Sequence, residues 1–387
     1  MKKFTFCILV VIVSFYYQNA IAQTVPQHDH VLIVVMENHS TTSIIGSSNA
    51  PYINSLINGT SSALFTQSYA LWHPSQPNYI MLFSGDNQGV TSDSDPSTFP
   101  FTSPNLGASL LANSKTFTGY SEDLPSDGFN GSTSGNYARK HNPWVNWQNA
   151  SSNGIPSADN IPFTSFPTDF STLPTVSFVI PSLIHDMHNP IILPSAIVNG
   201  DTWLHDNLDA YIQWAKTHNS LFILTFDEDD GTNIAGVSTS TNQITTLFVG
   251  ANVQKGQYSE NITHYTVLRT LEDMYGLPYA GNSSTEIPIT DCWITPTGIV
   301  NSEKTEGVDL FPNPAVESLT LNFHSSKEQN IKIIVTDLLA QTIINIDKQV
   351  ITGDNTILLP TQNFTAGTYF VHVVSSEKNV VRKVVFN

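Results

Sequence analysis

Leu221-Phe-Ile-Leu-Thr-Phe-Asp227-Glu228-Asp229-Asp230-Gly231 decides the fold: an apolar, β-prone run stops abruptly in four consecutive carboxylates and a glycine. A strand buried on both faces of a parallel sheet reads as such a continuous apolar run. Ligands of open α/β sheets bind just beyond the carboxyl ends of those strands. Four acids crowded at one strand end repel one another unless a cation lies among them. Taken alone, the cluster could equally be a solvated acidic turn.

Two further runs end in the same way. Val31-Leu-Ile-Val-Val-Met36 leads directly into Glu37-Asn38-His39-Ser40. Thr175-Val-Ser-Phe-Val-Ile180 leads through Pro181-Ser-Leu-Ile to His185-Asp186-Met187-His188-Asn189. One polar cluster after a strand is ordinary turn chemistry; three of them, all able to bind metal or move protons, point to convergence at one sheet edge.

From residue 28 to Thr297 apolar strands alternate with helical patterns, which predicts an α/β domain with a mostly parallel sheet flanked by helices. Asn105 is placed to cap a helix running to Ala112. A second helix is expected over Asp201 to Thr217, with Trp203, Leu204, Leu208, Tyr211, Ile212 and Ala215 as its apolar stripe. A third is expected over His264 to Tyr275, capped by Thr263 and stopped by Gly276 and Pro278. Residues 121–174, rich in Ser, Asn, Pro and Gly, read as a long insertion over the sheet edge that walls the site. After Thr297 a polar stretch leads into short alternating strands such as Ile331–Thr336 and Gly367–Val374, the pattern of a small β-sandwich without clustered acids, histidines or cysteines.

The first residues, Met1-Lys2-Lys3, an apolar run from Phe4 to Tyr17 and Ala20-Ile21-Ala22, read as a secretory signal peptide. Its removal takes Cys7 and leaves Cys292, so no intrachain disulfide is expected and about 365 residues must rely on core burial. The expected organisation is a signal peptide over 1–22, a catalytic domain over 23–298, a linker over 299–306 and a β-sandwich over 307–387. The formal charge of −17 becomes −19 once Lys2 and Lys3 are lost. That charge excludes nucleic acid as a partner, and no second apolar stretch is long enough for stable membrane insertion. An anionic substrate must then be captured locally, by metal, histidines or backbone amides.

Between the first strand and the insertion lies Leu71-Trp-His73-Pro-Ser75-Gln-Pro77-Asn78-Tyr79-Ile-Met-Leu82-Phe83-Ser-Gly85. Ser75 reads as the N-cap of a helix with Pro77 in its first turn and Tyr79, Leu82 and Phe83 on its buried face. Free amides and the helix dipole attract phosphate to such a position. A cation touching the serine oxygen would turn the hydroxyl into a nucleophile.

Six segments carry a family resemblance: Val34–Ser40, His73–Tyr79, Lys140–Pro143, His185–Asn189, Phe226–Gly231 and His264–Pro278. Over residues 28–280, and in the same order, they resemble the phosphoesterase family of bacterial acid phosphatases and phospholipases C, within the alkaline phosphatase superfamily. The resemblance implies Ser75 as nucleophile, with Glu37, Asn38, Asp227 and Glu228 holding a metal beside its oxygen and His264, His185 and His188 lining the phosphoryl site. These oxygen donors suit Mg²⁺, Ca²⁺ or Mn²⁺, the histidines leave Zn²⁺ open, and one metal or two stays undecided. His264 is then a donor to a phosphoryl oxygen or the acid for the leaving group. His185, Asp186 and His188 form a general acid/base or second ligand set. Asn78 and His141 offer donors to the transferred phosphoryl group, and His73, ahead of a proline, reads as structural.

The expected activity is that of a secreted, metal-dependent acid phosphatase hydrolysing small phosphomonoesters through a phosphoserine. A phosphodiesterase of phospholipase C type and a non-catalytic surface binding protein are the alternatives. Leu310-Phe-Pro-Asn-Pro314, Ile333–Ala340, Gly367–Val371 and Lys383–Phe386 resemble the C-terminal sorting domain of the type IX secretion route. That implies the secretion machinery as a partner and delivery through the periplasm to the cell surface or medium. A sugar-binding or adhesive sandwich, marked by exposed aromatics, is the other reading of the tail, but Phe311, Phe364, Tyr369 and Phe370 fall mostly on core-like positions.

Overall fold

The computed structural model describes residues 25–188, 195–231, 240–294 and 308–386, apart from 317, 339–340, 362–363 and 376–378, with backbone also at 233–234 and 237–238. The expected signal peptide, the expected linker and Asn189 lie outside the described residues. The chain divides into two compact units, Met1–Thr295 and Pro296–Asn387.

The first unit is built on β1 (His30–Met36), β2 (Ser62–Tyr69), β3 (Phe117–Ser121), β6 (Asn160–Pro162), β7 (Val176–Ile180), β8 (Ser220–Phe226), β11 (Gln243–Gly250) and β12 (Gly256–Thr263), with two short hairpins, β4 (Thr133–Ser134) with β5 (Tyr137–Ala138) and β9 (Asn233–Ile234) with β10 (Val237–Ser238). The eight-stranded sheet has the order β12-β2-β11-β8-β1-β7-β3-β6. β11 runs antiparallel to β8 and β2, and the other neighbouring pairs are parallel. This is the mostly parallel sheet that the apolar runs predict.

Among the described residues it is covered by α1 (Thr41–Ile44), α2 (Pro51–Ile57), α3 (Ser75–Ser84), α4 (Leu106–Ala112), α5 (Ala196–Ala215) and α6 (His264–Tyr275). Side chains of β1 alternate between two cores, as the strand period requires. Val31, Ile33 and Val35 pack with residues of α3, α4 and α6, whereas Leu32, Val34 and Met36 pack with residues of α2 and α5. Continuous burial on both faces is what makes the strand apolar without alternation.

Asn105 caps α4 by accepting the Ala108 amide at 2.9 Å, and α6 begins and ends as expected, with a capping box between Thr263 and Thr266 and Gly276 at φ 63°. The start of α5 differs. The helix begins at Ala196 under a Ser195 cap, and Asp201 sits inside it, where its carboxylate accepts the Tyr52 and Ile53 amides at 2.9 Å each. Asp201, the expected first residue of this helix, therefore caps the first turn of α2 instead. Residues 121–174 also do more than wall an edge. They add β6 beside β3 and bury Trp144 and Trp147 completely.

In the second unit β13 (Val308–Phe311), β14 (Leu319–Ser325) and β17 (Gly353–Leu359) form one antiparallel sheet. β15 (Gln329–Asp337), β16 (Thr342–Val350), β18 (Gly367–Val374) and β19 (Asn379–Phe386) form another. A single core that includes Leu321, Ile333, Val371 and Val373 joins them. Tyr369 is buried here, while Phe311, expected in the core, is 46% exposed because it sits at the end of the edge strand β13.

Glu272 of α6 is buried and accepts the Ala280 amide at 2.7 Å and the Ser283 hydroxyl at 2.5 Å. Burial pushes its carboxyl up to about 7, against the pull of those two hydrogen bonds. An unfolded glutamate ionises near ~4.3 while the folded one keeps its proton to near 7. Its contribution to stability is thus full below the unfolded value and is lost as pH rises through the folded one. Glu272→Gln is expected to leave stability at pH 4 little changed and to raise it by about 1–2 kcal/mol at pH 8. Chemical denaturation at the two pH values checks this.

Candidate active site at the carboxyl edge of the sheet

The odd-numbered residues of β1 face the layer of α3, α4 and α6, and Glu37 is the next odd position beyond the strand. β8 pairs with β1 in the register Met36↔Phe226, so Glu37 and Asp227 emerge level with each other. The following residue, Asn38, turns at φ 55°, a left-handed conformation that asparagine tolerates. Its amide then donates to Asp227 Oδ1 at 3.0 Å and its Nδ2 to Glu37 Oε2 at 2.7 Å. The Glu228 amide donates to the same Asp227 oxygen at 2.6 Å.

Ser75 is the first residue of α3 rather than its cap, a position that falls to Pro74. Its hydroxyl donates to Glu228 Oε1 at 2.8 Å and lies 3.3 Å from Glu37 Oε2. Two buried carboxylates attract that proton more strongly than a helix-end amide attracts the oxygen. One turn along α3, Tyr79 donates to Glu37 Oε1 at 2.8 Å and stacks on the His141 ring. His73 Nδ1 lies 2.5 Å from Glu228 Oε2, and its Nε2 3.4 Å from Asp229 Oδ1.

The opposite wall comes from the segment after β7 and from the turn Arg139–His141. His188 Nδ1 is 3.2 Å from Glu37 Oε2, and His141 Nε2 is 2.9 Å from Glu37 Oε1, a charge contact out of hydrogen-bond alignment. Asp186 Oδ2 lies 3.8 Å from His141 Nδ1. Glu37, His141 and Asp186 thereby bring one ligand atom each within 4.8 Å of one another. Met187, between Asp186 and His188, takes φ 80°, and Gly200 of α5 has room for it only because it lacks a Cβ, which would meet Met187 Cγ at 2.4 Å.

Burial would raise Glu37, but the His141 charge and the close approach of the His141 and His188 ring nitrogens outweigh it and hold the carboxyl well below its usual range. Its neighbours go the other way. Burial, then the Glu37 and Glu228 charges, push Asp227 well up. Burial raises Glu228 against hydrogen bonds from His73 and Ser75, and burial with the Glu37 charge takes Asp186 up to about 6. Asp227 Oδ2 and Asp186 Oδ2 are buried without a hydrogen-bond partner. Buried carboxylate oxygens in that condition fit a divalent cation.

His264 is buried at the start of α6. Its Nε2 donates to the Phe226 carbonyl at 2.8 Å, burial lowers it to about 4, and Nδ1 is buried with no partner. A neutral ring fixed in this tautomer presents a lone pair, as a metal-ligating imidazole does. The expected roles as donor or acid do not match, because the one ring proton is committed to a backbone carbonyl.

Residues 47–278 match the model of the Phosphoesterase family. The chain belongs to that family. It is 46% identical over 274 residues to a Mycobacterium tuberculosis protein named phosphatidylinositol-3-phosphatase, a match covering 70% of this chain and 85% of the other. An Aspergillus fumigatus acid phosphatase is 29% identical over 252 residues, covering 62% of this chain and 54% of that relative, so the chain spans about half of it. A solved Vibrio parahaemolyticus structure from the alkaline phosphatase superfamily aligns over 93% of this chain and 80% of its own, at 11% identity and a TM-score of 0.49. Residues 309–387 match a secretion system C-terminal sorting domain, which supports secretion or surface localisation. Among the described residues no helix is long and apolar enough to cross a membrane.

The chain is therefore a phosphoric ester hydrolase. In this phosphoesterase two expected site residues are engaged elsewhere. His185 Nδ1 lies 2.9 Å from Glu122 Oε1 and its ring stacks on Trp203, which also donates to Glu122. Asn78 Oδ1 accepts the Leu71 and Trp72 amides and its Nδ2 donates to the Trp72 carbonyl, so it shapes the loop before α3 instead of reaching a phosphoryl oxygen. Tyr79 and His73 were not expected. Tyr79 had a signal, since it lies four residues from Ser75 and so on the same helix face. His73 had none, because its direction is set by Glu228, far away in sequence. His73→Ala is expected to lower kcat about 10–100-fold with a smaller change in KM, since it frees the carboxylate that holds Ser75. Steady-state kinetics on a chromogenic phosphomonoester checks the split.

Proposed function

We propose that the protein is a secreted, divalent-metal-dependent acid phosphatase that hydrolyses small phosphomonoesters through a phosphoserine at Ser75. The observation that carries this reading is the Ser75 hydroxyl, at the start of α3, donating to Glu228 beside the unpartnered oxygen of Asp227. The names of the relatives, a phosphoinositide phosphatase and acid phosphatases, support a monoester over a diester.

Glu37, Asn38, Asp227 and Glu228 would hold the cation, with Ser75 Oγ among its ligands, and it would there lower the hydroxyl pKa and offset phosphoryl charge. Ser75 Oγ bonds to phosphorus in line as the ester P–O bond breaks, and its proton passes to Glu228 Oε1. The alcohol leaves with the bonding electrons and takes a proton from His188. His188 is suited to this because its hydrogen bond to Glu37 raises it above the ordinary histidine value. Water then attacks phosphorus, giving one proton to His188. The Oγ–P bond breaks, Ser75 recovers its proton from Glu228, and inorganic phosphate departs. Loss of the His188 proton as pH rises removes the donor, which supports an acidic optimum.

Ser75→Ala is expected to cut turnover by about a thousand-fold or more. Acid quench of the native enzyme with substrate should yield phosphate on the Ser75 peptide, and a chelator should abolish activity until a divalent cation is restored. A chelator-insensitive enzyme with no such adduct would refute the reading. For delivery, we infer passage through the periplasm with the tail engaging the secretion machinery. Removal of residues 307–387 is expected to leave active enzyme in the periplasm; normal surface delivery of that truncation would contradict the sorting role.

A further inference from the structure

Several side chains expected at the phosphoryl oxygens are committed elsewhere. Asn78 holds the loop before α3, His185 lies against Glu122, the ring proton of His264 goes to the Phe226 carbonyl, and His141 stands between Glu37 and Asp186. The start of α3 also offers an anion less than its dipole suggests. Pro77 has no N–H, and the amide of Gln76, the residue after Ser75, donates to Asp93 Oδ1 at 3.0 Å. A phosphoryl group at Ser75 therefore needs a further positive donor.

Lys140 is placed to be that donor. Its Nζ donates to Asp93 Oδ2 at 2.6 Å, and its remaining N–H bonds meet no acceptor among the described residues. Lys140 and His188 line one cavity of about 380 Å³, and the Lys140 charge acts on Glu37, Asp227 and His188, the groups around the serine. Burial would lower the ammonium, but the charges of Glu37, Asp93 and Asp227 and the hydrogen bond to Asp93 hold it above its usual value. Arg139, next to it in sequence, is turned away, 3.0 Å from Asp95 Oδ1 and over the Phe99 ring. The carboxylates of the cavity wall, Asp93 and Asp95, are thus each paired with a cation, so a protonated His188 leaves the wall with a surplus of positive charge.

Asp93 ties this lysine to the nucleophile's own helix. Gln76 is buried and holds the 92–94 segment through its amide to Asp93 and through Nε2 to the Ser92 and Ser94 carbonyls at 2.9 and 2.7 Å. One Asp93 oxygen is therefore fixed relative to Ser75 while the other orients the ammonium. Lys140, joined to the Ser75 helix on one side and sharing a cavity with His188 on the other, stands beside the line between nucleophile and leaving-group acid. The equatorial oxygens of an in-line transfer lie beside that line. We propose, on the phosphatase reading above, that Lys140 is a substrate-binding residue that donates to a non-bridging phosphoryl oxygen, and that Asp93 is the positioning residue that aims it.

The test uses the full-length protein supplied with a divalent cation, 4-nitrophenyl phosphate as substrate and inorganic phosphate as competitive inhibitor. Lys140→Met is expected to lower kcat/KM about a hundredfold and to weaken phosphate inhibition about tenfold, with Lys140→Arg recovering most of both. Asp93→Asn keeps the side-chain shape but loses the charge that orients the ammonium. It should lower kcat about tenfold and move phosphate inhibition less than Lys140→Met does. Phosphate inhibition unchanged in Lys140→Met overturns the role of Lys140, and a native kcat in Asp93→Asn overturns that of Asp93. Thermal melting checks that each variant folds, and Lys140→Gln takes the same comparison if Lys140→Met does not. If the native protein leaves 4-nitrophenyl phosphate intact, it is the phosphatase reading that fails. Lys140 is then judged by calorimetry with inorganic phosphate, and a Kd unchanged by Lys140→Met overturns its role.

Discussion

Burying several carboxylates around one serine is the constraint on which the rest depends. Glu37, Asp227 and Glu228 are all but removed from solvent, and a buried charge costs several kcal/mol unless it is paired and hydrogen-bonded. The fold meets that cost residue by residue. Asn38, Tyr79, His141 and His188 turn to Glu37, His73 turns to Glu228, and two backbone amides turn to Asp227. The parallel strands make this possible by ending at one edge. β11, running the other way, starts there, and Asn242 just before it binds both the Asp229 amide and the Trp72 carbonyl. That one amide ties the acidic segment to the loop that delivers His73 and Ser75.

What the sequence reveals and hides follows from the range of each interaction. β1, β7 and β8 are legible because both their faces are buried, which leaves an uninterrupted apolar signature ahead of each polar cluster. α6 is legible because its cap, stripe and stop are all local. Ser75 misleads because it obeys a local capping rule that distant carboxylates, those of Glu37 and Glu228, override, and the expected start of α5 at Asp201 is late because that residue turns to the amides of α2. His185 and His188 look like one set three residues apart. The turn at Met187 lies between them, and they part to Glu122 and Glu37 respectively. His141 emerges from an insertion with no period at all, so its place against Glu37 has no local trace.

Delivery and chemistry occupy separate parts of the chain, each with its own core. Neither core has a disulfide among the described residues; Cys292 is a free thiol that burial holds protonated and therefore unreactive. Stability in the first unit thus rests on the two apolar layers across the sheet and on polar ties such as Asp201 to α2 and Glu272 to the turn beyond α6. A domain without a disulfide among its described residues needs both. The polar ties fix loops that an apolar core cannot position.

The two carboxylates flanking Ser75 are close in space and opposite in poise. His141 and His188 hold Glu37 ionised, whereas burial leaves Glu228 with a raised affinity for protons despite its bonds from His73 and Ser75. Divergent environments of this kind separate a fixed charge from an acid/base group. The distances agree, since the serine proton points to Glu228 at 2.8 Å and Glu37 stands back at 3.3 Å. Glu37 is contacted by Asn38, Ser75, Tyr79, His141 and His188, so both its oxygens are already engaged. Glu228 has one oxygen against His73 and the other facing the Ser75 hydroxyl, an arrangement consistent with the proton transfer proposed above.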